Sequence, residues 1–197
     1  MSRFAHAFWL FAACIFLAQT APAADAGAIR PFDRHSFAQI RAAHAHKPWV
    51  VHIWGLTCGP CLVELPKWGQ MRKAHPDMNL VLIQADEGSV DAVEAAVERA
   101  GLQGVESWST RSELDEFERA SIDASWVGDM PRTLLISADG EVTTLKGVVD
   151  PGVIARWLAA SKHASYESMV RCFNAASTVC GGTTGEVTVH KAGKGVE

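Results

Sequence analysis

The sequence predicts an α/β fold, a central mixed sheet with helices on both faces, and three observations carry that expectation. Short apolar runs, Val50-Val51-His52-Ile53-Trp54, Leu80-Val81-Leu82-Ile83 and Thr133-Leu134-Leu135-Ile136-Ser137, have the composition of strands buried on both faces. Segments with apolar residues at helical spacing separate them, so successive strands are joined through helices. The third run ends in Ala138-Asp139-Gly140, a tight turn into Glu141 to Val148, which predicts an antiparallel hairpin.

The chain opens with Arg3, an apolar run from Phe8 to Ala18, and Ala21-Pro22-Ala23. A positive residue, a short apolar stretch and a small-x-small site predict a signal peptide over residues 1–23, cut near Ala23. An uncleaved N-terminal anchor is the alternative, and is the only membrane attachment expected. Either way the bulk of the chain is expected in the periplasm or otherwise exported. Residues 24–34 are read as a linker, small in composition up to Arg30.

A helix is expected from Pro31 to Lys47, where Phe32, Phe37, Ile40 and His44 recur at roughly helical spacing before Lys47-Pro48 closes it. Trp49 to Leu56 is the first strand. Cys61 to about Ala74 is a helix with Leu62, Leu65, Trp68 and Met71 as its apolar stripe, and Pro66 predicts a kink. Asn79 to Ala85 is a strand. Ser89 to Ala100 is an amphipathic helix, capped by Ser89 or Asp91 and stopped by Gly101. Val105 to Trp108 reads as a short strand and Leu114 to Ile122 as a helix with an acidic outer face. Asp150 and Pro151 start a helix that runs to about Lys162. The domain therefore spans 35–162. Residues 163–197 form a tail with a short helical segment near Tyr166 to Asn174.

A length of 197 residues is enough for one real core, and a net charge of −4 with no Lys/Arg cluster argues against a nucleic-acid partner. Without Cys14 in the leader, Cys58, Cys61, Cys172 and Cys180 remain. In an oxidising compartment an even count predicts two bridges, and spacing favours 58–61 and 172–180 among the three pairings. A Cys172–Cys180 bond would be structural, its loop contributing about 2.5 kcal/mol on the chain-entropy model.

The chemistry centres on Cys58-Gly59-Pro60-Cys61, placed where a buried strand hands over to a helix. Unpaired N–H groups and the positive end of the helix dipole stabilise a thiolate at the first cysteine. The second thiol lies within one turn and can resolve a mixed disulfide. Structural zinc would need four ligands, and the Cys172/Cys180 spacing is unlike a zinc knuckle, so no metal is assigned.

Over roughly residues 35 to 160 the chain resembles the thioredoxin superfamily, and within it the exported reductases of the TlpA/ResA/DsbE type. The motifs are Trp54-x-x-x-Cys58-Gly59-Pro60-Cys61, then Glu64 with Pro66, and Gly128-Asp129-Met130-Pro131-Arg132-Thr133 some seventy residues later. The segment from about Ser89 to Asp123 looks like that group's central insertion.

The resemblance implies that Cys58 is the attacking thiolate and Cys61 the more buried resolving thiol. It implies that Pro131 is a cis-proline opposite the dithiol, leaving the Met130 backbone free to pair with an extended client. Trp54, Gly59 and Pro60 would complete the client-binding rim. Glu64 is a candidate proton shuttle for Cys61, or else a surface helix residue. His52 stands where thioredoxin has a buried aspartate. It either moves the proton of Cys61, as an imidazole titrating near neutrality, or is a core histidine satisfied by the backbone. Thr57 departs from the aromatic residue usual before the first cysteine.

The implied function is reduction of client-protein disulfides, with no cofactor beyond the dithiol and with a membrane thiol–electron donor to regenerate it. The alternatives are a disulfide oxidase or isomerase, and a copper-handling chaperone binding Cu(I) through Cys58 and Cys61, with His52 the nearby histidine.

Overall fold

At the centre of the sheet lies Trp49–Trp54 (β2), a strand with every residue buried. The computed structural model describes residues 27–174, with side chains described to residue 164. The leader, Cys14, the end of the tail and the Cys172–Cys180 pairing therefore lie outside the described residues. Around β2, Leu80–Gln84 (β3), Glu106–Ser109 (β4) and Ile29–Pro31 (β1) add in parallel on one side. On the other side Arg132–Ile136 (β5) and Val142–Lys146 (β6) run antiparallel. The resulting six-stranded order is β1-β4-β3-β2-β5-β6.

Strand alternation sorts the side chains into two cores. Val50, Trp54, Leu82 and Leu135 point to one face. They pack there against Gly59–Ala74 (α2), Val90–Arg99 (α3) and Pro151–Asn174 (α5). Val51, Ile53, Ile83 and Leu134 point to the other, under Ser36–Ala43 (α1) and Glu116–Ile122 (α4). The expected mixed sheet with helices on both faces is the observed one, and the 89–123 segment supplies α3, β4 and α4, with β4 built into the main sheet.

Three expectations change. The 24–34 linker contains β1: Ile29, Arg30 and Pro31 pair with Ser107, Trp108 and Ser109 at the sheet edge, where proline is tolerated. Arg30 lies over the Trp108 ring and bridges to Glu106, ties that a three-residue strand cannot advertise by periodicity. The helix expected over 31–47 is only Ser36–Ala43, because Asp33 folds a turn onto the His35 N–H and the Ser36 hydroxyl, and His46 adopts a left-handed φ of 63°. The helix expected to stop near Lys162 runs unbroken to Asn174, across the 162/163 boundary, since no glycine or proline interrupts it after Gly152. No helix among the described residues is long and apolar enough to cross a membrane.

Candidate active site

The β2–α2 junction places the two cysteines. Cys58 is the N-cap of α2, in extended conformation, and its sulfur accepts the Cys61 N–H at 3.3 Å. Pro60 sits in the first turn, where its missing N–H costs nothing. Cys58 and Cys61 are joined in a disulfide with an S–S distance of 2.02 Å. Cys58 is half-buried, Cys61 fully buried, and Gly59 and Pro60 lie exposed at the surface beside them. Cys58 is thus the more exposed of the two, the asymmetry that attacking and resolving roles require.

The loop before Cys58 is held by a residue the sequence reading passed over. Asp86, just beyond β3, accepts the Leu56 N–H at 2.8 Å and both the N–H and hydroxyl of Thr57 at 2.7 Å. Burial raises this carboxyl's pKa, but the bonds from Thr57 and Leu56 outweigh it and leave the group below its ordinary value. The available signal was an acid directly after a buried strand parallel to β2, since pairing of Trp54 with Gln84 brings residue 86 beside residue 56.

The Met130–Pro131 bond is cis. β5 pairs with β2 so that Arg132 faces Ile53, which carries Pro131 to the same end of the sheet as the dithiol. Thr57 and Met130, the residues before Cys58 and Pro131, line one cavity of about 340 Å³. Arg132, 1% exposed, fixes this loop by bridging Asp123 at 2.6 Å and Asp129 at 3.1 Å, with its guanidinium 5.9 Å from the Trp126 ring centre. Trp54 is corrected: at 1% exposure it packs in the core behind the motif and offers no rim to a client.

Behind the dithiol lie Glu64 and His52, at 1% and 0% exposure. The surface alternative for Glu64 is overturned: residue 64 falls on the buried stripe of α2 with Cys61, Leu65 and Trp68. Its Oε1 accepts the Val149 N–H at 2.8 Å, whereas Oε2 has no hydrogen-bond partner. Burial raises its pKa, against the opposing pull of the Val149 N–H, the Lys67 charge and the nearby Trp68 indole.

His52 stacks on Trp68 with ring centres 4.7 Å apart, and its Nδ1 lies 3.2 Å from the Thr133 hydroxyl, its cross-strand neighbour. Burial depresses its pKa to about 3, so the imidazole is neutral in the working range and does not titrate near neutrality as the sequence suggested. Nor is it satisfied by a backbone carbonyl: one nitrogen meets Thr133, and the other, without a hydrogen-bond partner, faces Glu64 Oε2 at 4.0 Å. Both ring nitrogens are thereby turned to residues other than the cysteines. Among the described residues no group of three or more His, Cys, Asp and Glu could hold a metal ion.

No protein-family model and no curated protein matches the sequence. Solved structures do. A secreted Mycobacterium tuberculosis disulfide oxidoreductase homologous to E. coli DsbE aligns at 23% identity and TM-score 0.50, over 60% of this chain and 85% of that one. A DsbF homologue from Corynebacterium diphtheriae aligns at 16% identity and TM-score 0.52, over 61% and 75%. At these identities the likeness establishes a shared thioredoxin-like fold.

Proposed function

We propose that the protein is an exported thiol–disulfide oxidoreductase that reduces client disulfides. The observation that carries this reading is the Cys58–Cys61 pair at the N-terminus of α2, Cys58 half-buried and Cys61 fully buried, with Met130–Pro131 at the same end of the sheet and a buried carboxyl, Glu64, one turn along the same helix face. Two structures of the same fold are described as a disulfide oxidoreductase and a DsbF homologue, which favours the same chemistry here. Export rests on the N-terminal apolar run and the Ala21-Pro22-Ala23 site, and the reducing direction on Gly-Pro between the cysteines.

In the reduced protein the Cys58 thiolate, stabilised by the first-turn N–H groups, attacks one sulfur of a client disulfide. A mixed disulfide forms and one client thiolate leaves. Glu64, three residues from Cys61 on the same helix face, accepts the Cys61 proton. The Cys61 thiolate then attacks Cys58 Sγ, releasing the second client thiolate and closing the 58–61 disulfide. Two electrons pass to the client, and a thiol donor at the membrane must return them. The client lies across exposed Leu62 and Val63 and along Met130, whose backbone makes no hydrogen bond among the described residues and is open to strand-like pairing.

Cys61→Ala, which cannot resolve, tests the reading. Cells expressing it should accumulate disulfide adducts through Cys58 that vanish in Cys58→Ala/Cys61→Ala, and the reduced parent should cleave a model protein disulfide. Absence of both adducts and cleavage would sink it.

A further inference from the structure

Two buried polar atoms without partners face each other behind the dithiol: Glu64 Oε2 and His52 Nε2, 4.0 Å apart. Each group has its other polar atom engaged, Glu64 Oε1 by the Val149 N–H and His52 Nδ1 by the Thr133 hydroxyl. A neutral imidazole carries one N–H and one bare nitrogen, and a threonine hydroxyl can accept or donate. If Nδ1 carries the hydrogen and donates it to Thr133, Nε2 presents a lone pair to Glu64. A protonated Glu64 then donates to it after a movement of about 1 Å, which pairs Glu64 Oε2 with His52 Nε2 without burying a charge and leaves the Trp68 indole N–H, the third unpartnered polar atom beside the carboxyl, as it is.

We propose that His52 is a positioning residue that holds the acid proton of Glu64 on its Nε2 while the Cys58–Cys61 disulfide is closed. The inference rests on the exchange reading above and adds where the proton waits. As the disulfide closes, Cys61 gives its proton to the Glu64 carboxylate, and the resulting acid donates to His52 Nε2. As a donor thiolate reopens the disulfide at Cys58, the departing Cys61 thiolate takes the proton back and Glu64 returns to carboxylate. His52 keeps one tautomer and no net charge throughout. The groups facing the carboxyl are the Lys67 ammonium and Trp68 indole from its own helix, the Val149 N–H from the loop before α5, and His52 from β2.

The test is spectroscopic and needs no client. In the disulfide form, long-range proton–nitrogen correlations should show His52 with hydrogen on Nδ1 and a bare Nε2. Oxidised-minus-reduced infrared difference spectra should show one carboxylic-acid carbonyl band, absent in Glu64→Gln and shifted in His52→Phe. Thr133→Val, which keeps the imidazole, should broaden or mix the tautomer and move the same band, so the proposal stays testable if His52→Phe fails to fold. Hydrogen on Nε2, or no Glu64-dependent acid band, overturns it. Because adduct trapping reads Cys58 alone, loss of the band with adducts intact would sink the proton store and leave the exchange reading standing.

Discussion

Asp86 holds Thr57 twice, taking its backbone N–H and its hydroxyl on the same carboxylate oxygen, each at 2.7 Å. Thr57 precedes Cys58, so the approach to the reactive sulfur is set by an acid twenty-nine residues away rather than by an aromatic neighbour. Gly55 is required by the same contact, since a Cβ there would lie 2.5 Å from Asp86 Oδ2. Asp86→Ala should therefore lower stability by about 2–3 kcal/mol, and Thr57→Val, which keeps the N–H bond, by about 1 kcal/mol. Denaturant unfolding of the oxidised proteins measures both. Equal losses for the two would mean that the backbone bonds contribute nothing.

Arg132 is the clamp on the other wall. Its buried guanidinium draws Asp123 and Asp129 to the loop that carries Pro131. The Ser125 hydroxyl, with Arg132 behind it, overcomes desolvation and holds Asp123 down at about 2. Its contribution is thus complete above the ordinary aspartate range and fades as pH falls from about 4 towards 2. Arg132→Met removes the charge but keeps the bulk. We expect a loss of about 2–3 kcal/mol, below the usual figure for a broken buried pair because both carboxylates reach solvent. Mixed-disulfide formation at Cys58 should slow in parallel. A variant as stable as the parent across that pH range would show the clamp to be idle.

Gly69 is where α2 passes α3. A Cβ there would run into the Ala100 carbonyl oxygen, a backbone atom that cannot swing aside. Gly69→Ala should cost about 1–3 kcal/mol by overpacking, whereas Gly59→Ala, with nothing near its Cβ, should stay within about 0.5 kcal/mol. Thermal melts of the two oxidised variants separate these outcomes, and equal melting temperatures would contradict the packing argument.

The central sheet was legible because β2, β3 and β5 are apolar on both faces, and the dithiol because its spacing and placement carry the chemistry. What was not legible depends on contacts distant in sequence. β1 has three residues and is defined by its partners. Leu62 looked like part of the buried stripe of α2 yet is 40% exposed, because Cys61 and Glu64 occupy that stripe instead. A carboxylate on a buried helical face cannot be recognised from periodicity, since its burial is made tolerable by Val149, eighty-five positions away. Asp86 is hidden in the same way, its partners Leu56 and Thr57 lying thirty and twenty-nine positions away. Arg132 is different: Asp129 and Asp123 are three and nine positions away, but only the folded loop before β5 turns both carboxylates onto one buried guanidinium.

The buried pair gives opposite signs in the pH dependence of stability. His52 is neutral when folded down to about 3 but protonates near 6.5 when unfolded, so the unfolded chain binds more protons between those values. Stability should fall as pH drops through that window, with a slope of up to about 1.4 kcal/mol per pH unit from this one group. Glu64 is the reverse. Its folded pKa lies above its unfolded one, so the folded state binds more protons and stability should fall as pH rises through the region above 4.5. Glu64→Gln should remove that loss and make the oxidised protein more stable than the parent at neutral pH. His52→Asn should flatten the acid limb below 6.5. Thermal unfolding of parent and both variants from pH 3 to 8 resolves the two contributions. An acid limb unchanged in His52→Asn would mean that His52 does not stay neutral in the fold.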